Sequence, residues 1–205
     1  MRYRLRTMKK VAPRILSPFG SEDFCYLGEE RLTRTLPDYL APNLGIVFVG
    51  INPGAYSARV GHYFARKQNS FWAALNQSGL VPATLTPEDD VRILDFGLGL
   101  TDIVKRPTSN ATQLSDAEFA RGGSVLRAKL ERLAPRVICF NGLSGYRKSF
   151  DRTAQLGPQS VRWGKSRLFV VPSTSPRNAH YHGKIVSWFQ QLKEYSDRSK
   201  GDDHV

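Results

Sequence analysis

The sequence is poor in cysteine and in long apolar segments. Only two of its 205 residues are cysteines, Cys25 and Cys139, and neither belongs to a CxxC pair. The chain therefore supplies neither four thiolates for an iron–sulfur cluster nor a disulfide framework, so we expect a reducing, cytoplasmic compartment. The longest apolar run, residues 44–49, is far too short to span a bilayer, and we expect no membrane association. The basic start of the chain is not followed by the apolar core of a signal peptide.

Acidic residues and metal-binding side chains are also scarce. The chain has 18 Asp and Glu against 30 Lys and Arg, which gives a formal net charge of +12. A charge of this sign and size indicates a polyanionic partner. Nucleic acid is the favoured candidate, and an anionic membrane is the less common one. No GxxxxGK[ST] motif is present, which excludes an NTPase phosphate-binding loop. We expect no metal and no other cofactor, because the histidines are not spaced as a ligand set with carboxylates or thiols.

The chain divides into three parts. Residues 1–40 are predicted to be a basic N-terminal extension, because six basic and no acidic residues fall within the first 14. A solvated arm and a nucleic-acid-binding arm are both compatible with this composition. Residues 41–196 form the predicted domain, and 197–205 a frayed tail.

Apolar runs alternate with amphipathic segments between these ends. The β-branched and aromatic runs at 45–50, 136–140 and 167–172 predict buried strands. Helices are predicted at 69–78, from the capping box at 115–118 to Pro135, and at 184–195, with a further short strand or turn at 93–100. This order predicts an α/β protein, a three-layer α/β/α sandwich with a short, mainly parallel central sheet. Ligands bind beyond the carboxyl ends of such strands, so the loops after Val49 and Val171 are the candidate ligand-binding loops.

The first of these loops reads Gly50-Ile-Asn-Pro-Gly54. Its glycines permit a sharp turn and a close approach to a ligand, although the same letters also fit an ordinary strand-to-helix turn. The segment after it, residues 61–72, alternates rings with cations, as in surfaces that stack bases beside phosphates. We assign Phe71 and Trp72 to the core and expect His62, Tyr63 and Phe64 to line a pocket.

The second loop spans residues 172–181 and is rich in small hydroxyl residues. Hydroxyls and exposed backbone amides bind phosphates, whereas Arg177 and His180 could reach bases. Taken alone, a loop of this composition is also compatible with a plain connection.

Five segments together resemble one known family. They are GINPG at 50–54, GHYFARKQNSFW at 61–72, GLTDIVKRPT at 99–108, RVICFNG at 136–142 and VPSTSPRNAHY at 171–181. In this order and spacing the chain resembles the mismatch-specific uracil-DNA glycosylase and thymine-DNA glycosylase family, the second family of the uracil-DNA glycosylase superfamily. The resemblance extends over roughly residues 44–195 and implies a uracil-DNA glycosylase-like fold.

The resemblance also implies roles for individual residues. Asn52 would orient the water that attacks C1′ of an extruded nucleotide, and Phe64 would stack on the extruded base. Base-contacting positions, through backbone or side chain, would be Ile51, Ser57, Tyr63 and Phe64. A carboxamide is not a base at neutral pH, so it can only position water, and we expect a slow enzyme.

The second loop would contact DNA. By resemblance, Ser173 and Ser175 would grip the phosphates that flank the lesion, and Arg177 would fill the gap left by the extruded nucleotide. The same wedge would include Pro176, Asn178 and His180.

Asp102 departs from the family pattern, which commonly has an amide or a lysine there. A carboxylate near the sugar could activate water or stabilise a cationic sugar, so we assign Asp102 as a second candidate catalytic residue. The alternative is a solvated aspartate or one paired with Arg106.

These observations predict a monofunctional, water-dependent DNA glycosylase that removes uracil, or thymine or another damaged pyrimidine, from mismatched double-stranded DNA. Single-stranded DNA is a further candidate substrate, and we expect a monomer, nucleoid-associated if the source is bacterial. Two other hypotheses remain: a catalytically weak protein of the same fold that binds lesions or mismatches, and an α/β protein that binds a mononucleotide at the GINPG turn.

Overall fold

The computed structural model describes residues 25–28 and 31–198, and the first 24 residues of the predicted extension lie outside this range. The strands are β1 Cys25–Gly28, β2 Arg31–Arg34, β3 Ile46–Gly50, β4 Leu98–Asp102, β5 Val137–Asn141, β6 Gly157–Trp163 and β7 Ser166–Val171. The α-helices are α1 Ala55–Val60, α2 Phe71–Gln77, α3 Asp116–Leu133, α4 Leu143–Ser149 and α5 Ile185–Arg198. Three 3₁₀ segments in the described residues cover Pro87–Phe96, Ala111–Gln113 and Ala179–Lys184.

The central sheet has five strands in the order β4-β3-β5-β7-β6. Strands β4, β3, β5 and β7 are parallel, and β6 pairs antiparallel with β7 at one edge. All four parallel strands therefore end at the same edge of the sheet, where the two nominated loops begin. β1 and β2 form a separate antiparallel hairpin.

Two hydrophobic layers cover the two faces of the sheet. Alternate residues of the buried strands point to opposite faces, so that Phe48 packs with α2 and α5 while Val47 packs with α3 and α4. The predicted three-layer α/β/α sandwich with a mainly parallel sheet is confirmed. No helix within the described residues combines the length and the apolar character that a bilayer crossing needs.

Helix α3 begins and ends where the sequence predicts. The Ser115 hydroxyl accepts from the Glu118 backbone N–H at 3.3 Å, and the Glu118 carboxylate accepts from the Ser115 N–H at 2.9 Å. The helix ends at Leu133, where Ala134 adopts a left-handed conformation ahead of Pro135. Phe119, Leu126 and Leu130 are buried as predicted. Leu133, predicted for the same stripe, is only half-buried.

The structure differs from the sequence prediction at several places. Helices α1 and α4 were not predicted, and the strand or turn expected at 93–100 is the end of a 3₁₀ segment followed by β4. Strands β1 and β2 lie within the predicted extension.

Strand β6 was not predicted, because most of its side chains are exposed and it contains no apolar run. Residues 35–40, assigned to the extension, pack onto the domain: Leu36 is buried, and Tyr39 pairs with Leu100 of β4. Asp197 and Arg198, assigned to the tail, belong to α5, and residues 199–205 lie outside the described range.

Candidate active site

A cleft of about 550 Å³ lies at the carboxyl ends of the parallel strands. Both nominated loops line it, together with the segment that follows β4. All but one of the predicted site residues reach its wall: Ile51, Asn52, Ser57, Tyr63, Phe64, Asp102, Ser173, Ser175, Pro176, Arg177 and Asn178. The exception is His180, which falls in the 3₁₀ segment after the second loop, with its side chain outside the described part of the chain. His62, which was also expected to line a pocket, does not line this cleft, and its Nδ1 lies 3.3 Å from Asp90 Oδ1.

Backbone hydrogen bonds hold the loop after β3 against the segment after β4. The N–H of Ile103 donates to the carbonyl of Gly50 at 2.9 Å, and Ala55 N–H donates to Thr108 O at 2.9 Å. The parallel pairing of the two strands therefore continues past their ends. Because both loops are held by main-chain bonds, the side chains that they present to the cleft are fixed relative to each other.

The side chain of Asn52 is oriented by its own nitrogen. Its Nδ2 donates to the Arg106 carbonyl and to the Thr108 hydroxyl oxygen, both at 2.8 Å. Its Oδ1 accepts no hydrogen bond from any described residue and remains open to a water in the cleft. A carboxamide held in this way can position a water molecule but cannot remove its proton.

Asp102 ends β4 directly beside Gly50 in the ladder. Its side chain lies over the Gly50 Cα so closely that any Cβ at position 50 would collide with Oδ1. Asp102 is 4% exposed, and its Oδ2 is buried with no hydrogen-bond partner among the described residues. The sequence alternative of a solvated or Arg106-paired aspartate is wrong, because the Arg106 guanidinium instead bonds the Glu118 carboxylate at 2.6 Å.

Burial raises the pKa of Asp102 to about 7. The Lys105 ammonium opposes this rise, the Asp38 carboxylate adds to it, and the Tyr63 hydroxyl opposes it. The Lys105 ammonium is held away from direct contact with the Asp102 carboxyl, because its Nζ donates a hydrogen bond to Asp38 Oδ1 at 2.7 Å. Asp38 also accepts from Lys129 at 2.6 Å. Burial favours the neutral form of Asp38, but the two ammonium groups outweigh it and hold its pKa well below the usual range.

Phe64 presents an aromatic ring to the cleft from an unusual backbone conformation. Its φ is +52°, a left-handed value that costs free energy for any side chain other than glycine. One face of its ring stacks on Phe71, with 4.1 Å between centroids, and the ring is only partly buried. Its N–H, like that of Ile51, donates to no acceptor in the described residues, so both amides are free for a ligand in the cleft.

Flanking residues fix the turn that carries Phe64. The N–H of Tyr63 donates to the buried Asp90 carboxylate at 2.9 Å, and the N–H of Ala65 donates to the Ser57 hydroxyl at 3.1 Å. Burial raises the pKa of Asp90. The Tyr63 ring is 1% exposed, so it forms the back of the cleft and leaves the open surface to Phe64.

The second loop is braced on β5 by the side chain of Asn141. Its Nδ2 donates to the Thr174 hydroxyl at 2.9 Å, and its Oδ1 accepts from Thr174 N–H at 3.0 Å. Within the loop, Asn178 Nδ2 donates to Ser173 O at 2.9 Å, and the Ser175 N–H donates to the Ser173 hydroxyl at 3.3 Å. The carboxamide of Asn178 therefore stabilises the loop itself.

Cations without carboxylate partners stand at the rim of the cleft. Arg177 is exposed at the tip of the second loop, and within the described residues it forms no ion pair. Arg66 also lines the cleft, and its guanidinium and that of the neighbouring Arg59 lie over the Tyr56 ring, at 5.6 and 5.2 Å from its centroid. This rim suits the phosphates of a nucleic acid.

Sequence reasoning missed several residues that shape the cleft. Asp38, Asp90, Thr108 and Asn141 hold catalytic candidates or their loops through contacts between distant parts of the chain. Only Thr108 and Asn141 carried any signal, because both fall within the segments that resemble the glycosylase family. No group of three metal-binding side chains occurs in the described part of the chain.

The fold and the cleft together define a class of protein: a three-layer α/β protein with a cleft of about 550 Å³, cationic side chains at its rim and a buried carboxyl group in its wall. The family model "Uracil DNA glycosylase superfamily" matches residues 37–195, and the chain belongs to this superfamily of DNA glycosylases. The chain is also similar in fold to the solution NMR structure of a candidate uracil DNA glycosylase from Methanosarcina acetivorans. That match has a TM-score of 0.54 and 22% identity, and covers 78% of this chain and 98% of the other.

Proposed function

We propose that this protein is a monofunctional DNA glycosylase that hydrolyses the N-glycosidic bond of uracil in mismatched DNA. Thymine and other damaged pyrimidines are further candidate targets. One observation carries the proposal: the Asn52 carboxamide is fixed by its nitrogen, with its oxygen open, in the cleft that also holds the Phe64 ring and the buried Asp102 carboxyl. We also propose that the chain belongs to the mismatch-specific uracil and thymine glycosylase branch, on the five segments given above.

The reaction requires an extruded nucleotide, because a base stacked in a duplex hides its glycosidic bond. The exposed ring face of Phe64 would stack on the extruded pyrimidine, an interaction that contributes about 1–3 kcal/mol per base. The free amides of Ile51 and Phe64 would donate to the pyrimidine oxygens. Such donors stabilise negative charge that develops on a leaving group.

Hydrolysis would use a water held by Asn52 Oδ1. The water oxygen forms a bond to C1′, while the C1′–N1 bond breaks and its electron pair leaves with the pyrimidine. The ionised Asp102 carboxylate accepts one proton of the water and later releases it to the departing base or to solvent. A carboxyl group with a pKa near 7 suits this role, because a general base works best close to the operating pH.

The second loop would hold the DNA in the extruded state. The hydroxyls of Ser173 and Ser175 and the neighbouring amides would contact the flanking phosphates, and Arg177 would fill the vacated stack. Inserting a side chain offsets part of the few kcal/mol that unstacking costs. Pro176 stiffens the loop, and His180 would complete the wedge.

The proposal is tested with a panel of oligonucleotides in which the target base, the opposite base and strandedness vary. Excision of uracil, read as alkali-labile strand breakage under single-turnover conditions, is the expected result. Asn52→Ala should slow it about 10²-fold, because a misplaced reactant costs about that much. Asn76→Ala is the matched control: its carboxamide also bonds the backbone, at Leu85, but outside the cleft.

Lesion-specific binding without strand breakage on any duplex would contradict the proposed reaction and would identify a catalytically weak lesion-binding protein instead. Equal rates for the two asparagine variants would remove the role of Asn52. Saturable binding of a free mononucleotide without affinity for DNA would support the nucleotide-binding hypothesis.

A further inference from the structure

A second cavity, of about 790 Å³, lies at the amino ends of the parallel strands. The starts of β3 and β4 line it, together with Arg136 before β5, Arg167 in β7 and the last turns of α5. Parallel strands begin at one edge of a sheet and end at the other, so this cavity lies opposite the cleft. With about 3.3 Å per residue, strands of five or six residues separate the two sites by roughly 16–20 Å.

Cations dominate the wall of this cavity. Five basic residues and one carboxylate contribute: Arg136, Arg162, Lys165, Arg167, Lys193 and Asp197. The carboxylate of Asp197 bonds Lys193 at 2.7 Å. Within residues 25–28 and 31–198, the four other cations form no ion pair. We call these four residues (Arg136, Arg162, Lys165 and Arg167) the amino-edge cations.

Two amino-edge cations are placed against each other in the sheet. Arg162 of β6 and Arg167 of β7 are direct partners in the antiparallel ladder, so their side chains leave the same face. Like charges directly opposite each other destabilise a sheet. The guanidinium of Arg167 lies 3.7 Å from the centroid of the Tyr195 ring, a contact that limits its freedom to move away. An anion bound between the two arginines would remove this repulsion.

Arg136 adds a partly desolvated guanidinium to the same wall. Its Nη2 lies 3.0 Å from the point where a Cβ at Gly45 would stand, so the group is wedged against the start of β3. Its Nε is buried and has no hydrogen-bond partner among the described residues. Buried polar groups are normally paired, and a guanidinium is most often paired with a carboxylate or a phosphate.

We infer that the amino-edge cations form a second nucleic-acid contact, which binds the phosphate backbone of a DNA segment other than the one in the cleft. Arg162 and Lys165 are exposed at the β6–β7 turn, as expected of side chains that contact phosphates without reading bases. DNA is the polyanion that a glycosylase of this superfamily meets, and the amino-edge cations place four positive charges at the edge opposite the cleft. The protein could then hold two segments at once.

The experiment uses the full chain and two duplexes. A short duplex with a stable abasic-site analogue and a fluorescent donor first saturates the cleft. A second, plain duplex with an acceptor is then titrated, and energy transfer reports a ternary complex. The test variant is Arg162→Ser/Lys165→Ser, because both residues are exposed and their loss should not prevent folding. The matched control, Arg121→Ser/Arg152→Ser, makes the same change in net charge at exposed positions that line neither cavity.

We expect the test variant to bind the second duplex about tenfold more weakly, with a salt slope smaller by about 1.8 for two lost phosphate contacts. The control variant should lose much less affinity for the second duplex. Single-turnover uracil excision from a short duplex should be unchanged in the test variant, so failure of this inference is separable from failure of the proposed function. Equal affinities of the two variants for the second duplex would overturn the inference. So would stoichiometric binding of inorganic pyrophosphate at the amino-edge cations with no second duplex bound, which would identify a small-anion site.

Discussion

The two cavities occupy opposite edges of the same sheet and differ in what their charged groups contact. In the cleft at the carboxyl edge, the key carboxyl of Asp102 is withdrawn from water and held by neighbouring charges. At the amino edge Arg162 and Lys165 are exposed and Arg136 and Arg167 are half-buried, and none of the four has a carboxylate partner within the described residues. Chemistry requires a group whose environment changes its pKa, whereas backbone binding requires only accessible positive charge. If both proposals hold, the same strands support a reaction site at one edge and an electrostatic site at the other.

The largest expected effect is on chemistry at the carboxyl edge. Asp102→Asn keeps the size of the side chain but cannot accept a proton, so the excision rate at pH 8 should fall about 10²–10⁴-fold. With a pKa of about 7, the wild-type rate should rise about tenfold per pH unit below pH 7 and level off above it. Single-turnover rates between pH 5 and pH 9 measure this.

Asp90→Asn is the control for that pH profile, because Asp90 is also buried and its pKa is also raised, yet it does not line the cleft. We expect the excision rate of Asp90→Asn to rise with pH as the wild-type rate does. An Asp102→Asn variant with the wild-type rate and profile would remove Asp102 from the mechanism and leave Asn52 alone.

A stability difference should accompany this change. The native pKa of Asp102 is raised above the value of about 3.8 expected in the unfolded chain, so the native state binds its proton more tightly. Ionisation of Asp102 therefore costs stability as the pH rises from about 4 to about 7. A shift of one pKa unit corresponds to about 1.4 kcal/mol. The free energy of unfolding of Asp102→Asn, relative to that of the wild type, should therefore rise by about 3 kcal/mol between pH 5 and pH 8.

Urea unfolding at the two pH values measures this difference. A relative stability that does not change with pH would show that the carboxyl is solvated in the native protein. The amino-edge double variant should show no comparable change, because it leaves Asp102 and the residues around it unaltered.

The smallest expected effect is a difference in which duplex each site prefers, lesion-containing or plain. Arg177→Ala should weaken binding to an abasic or mismatched duplex about tenfold and binding to plain duplex much less, because its side chain would fill a gap that only the lesion complex contains. Arg162→Ser/Lys165→Ser should not discriminate between lesion and plain DNA. Fluorescence anisotropy at one salt concentration provides the comparison. Equal losses on both duplexes would make Arg177 an ordinary phosphate contact.

Much of the fold could be predicted from local pattern. The strands at Ile46–Gly50, Val137–Asn141 and Ser166–Val171 are continuous apolar runs, and α3 has a capping box at one end and a proline after the other. Strand β6 could not be predicted, because an edge strand with one exposed face and a proline carries little periodicity. The packing of Leu36 was missed for a similar reason: one buried leucine among prolines has no period.

The sequence by itself determined the layer architecture and the two loops that line the cleft, because apolar periodicity and short motifs are local properties of the chain. Asn52 and Phe64 were singled out by the resemblance to the glycosylase family, and their roles stay predictions. Only the tertiary structure decided the state of Asp102. Its neighbours Asp38, Lys105 and Tyr63 come from three different segments, and its pKa depends on how completely they exclude water. The amino-edge cations likewise came together only through folding, since strand pairing and helix packing set the distances between charges that are far apart in sequence.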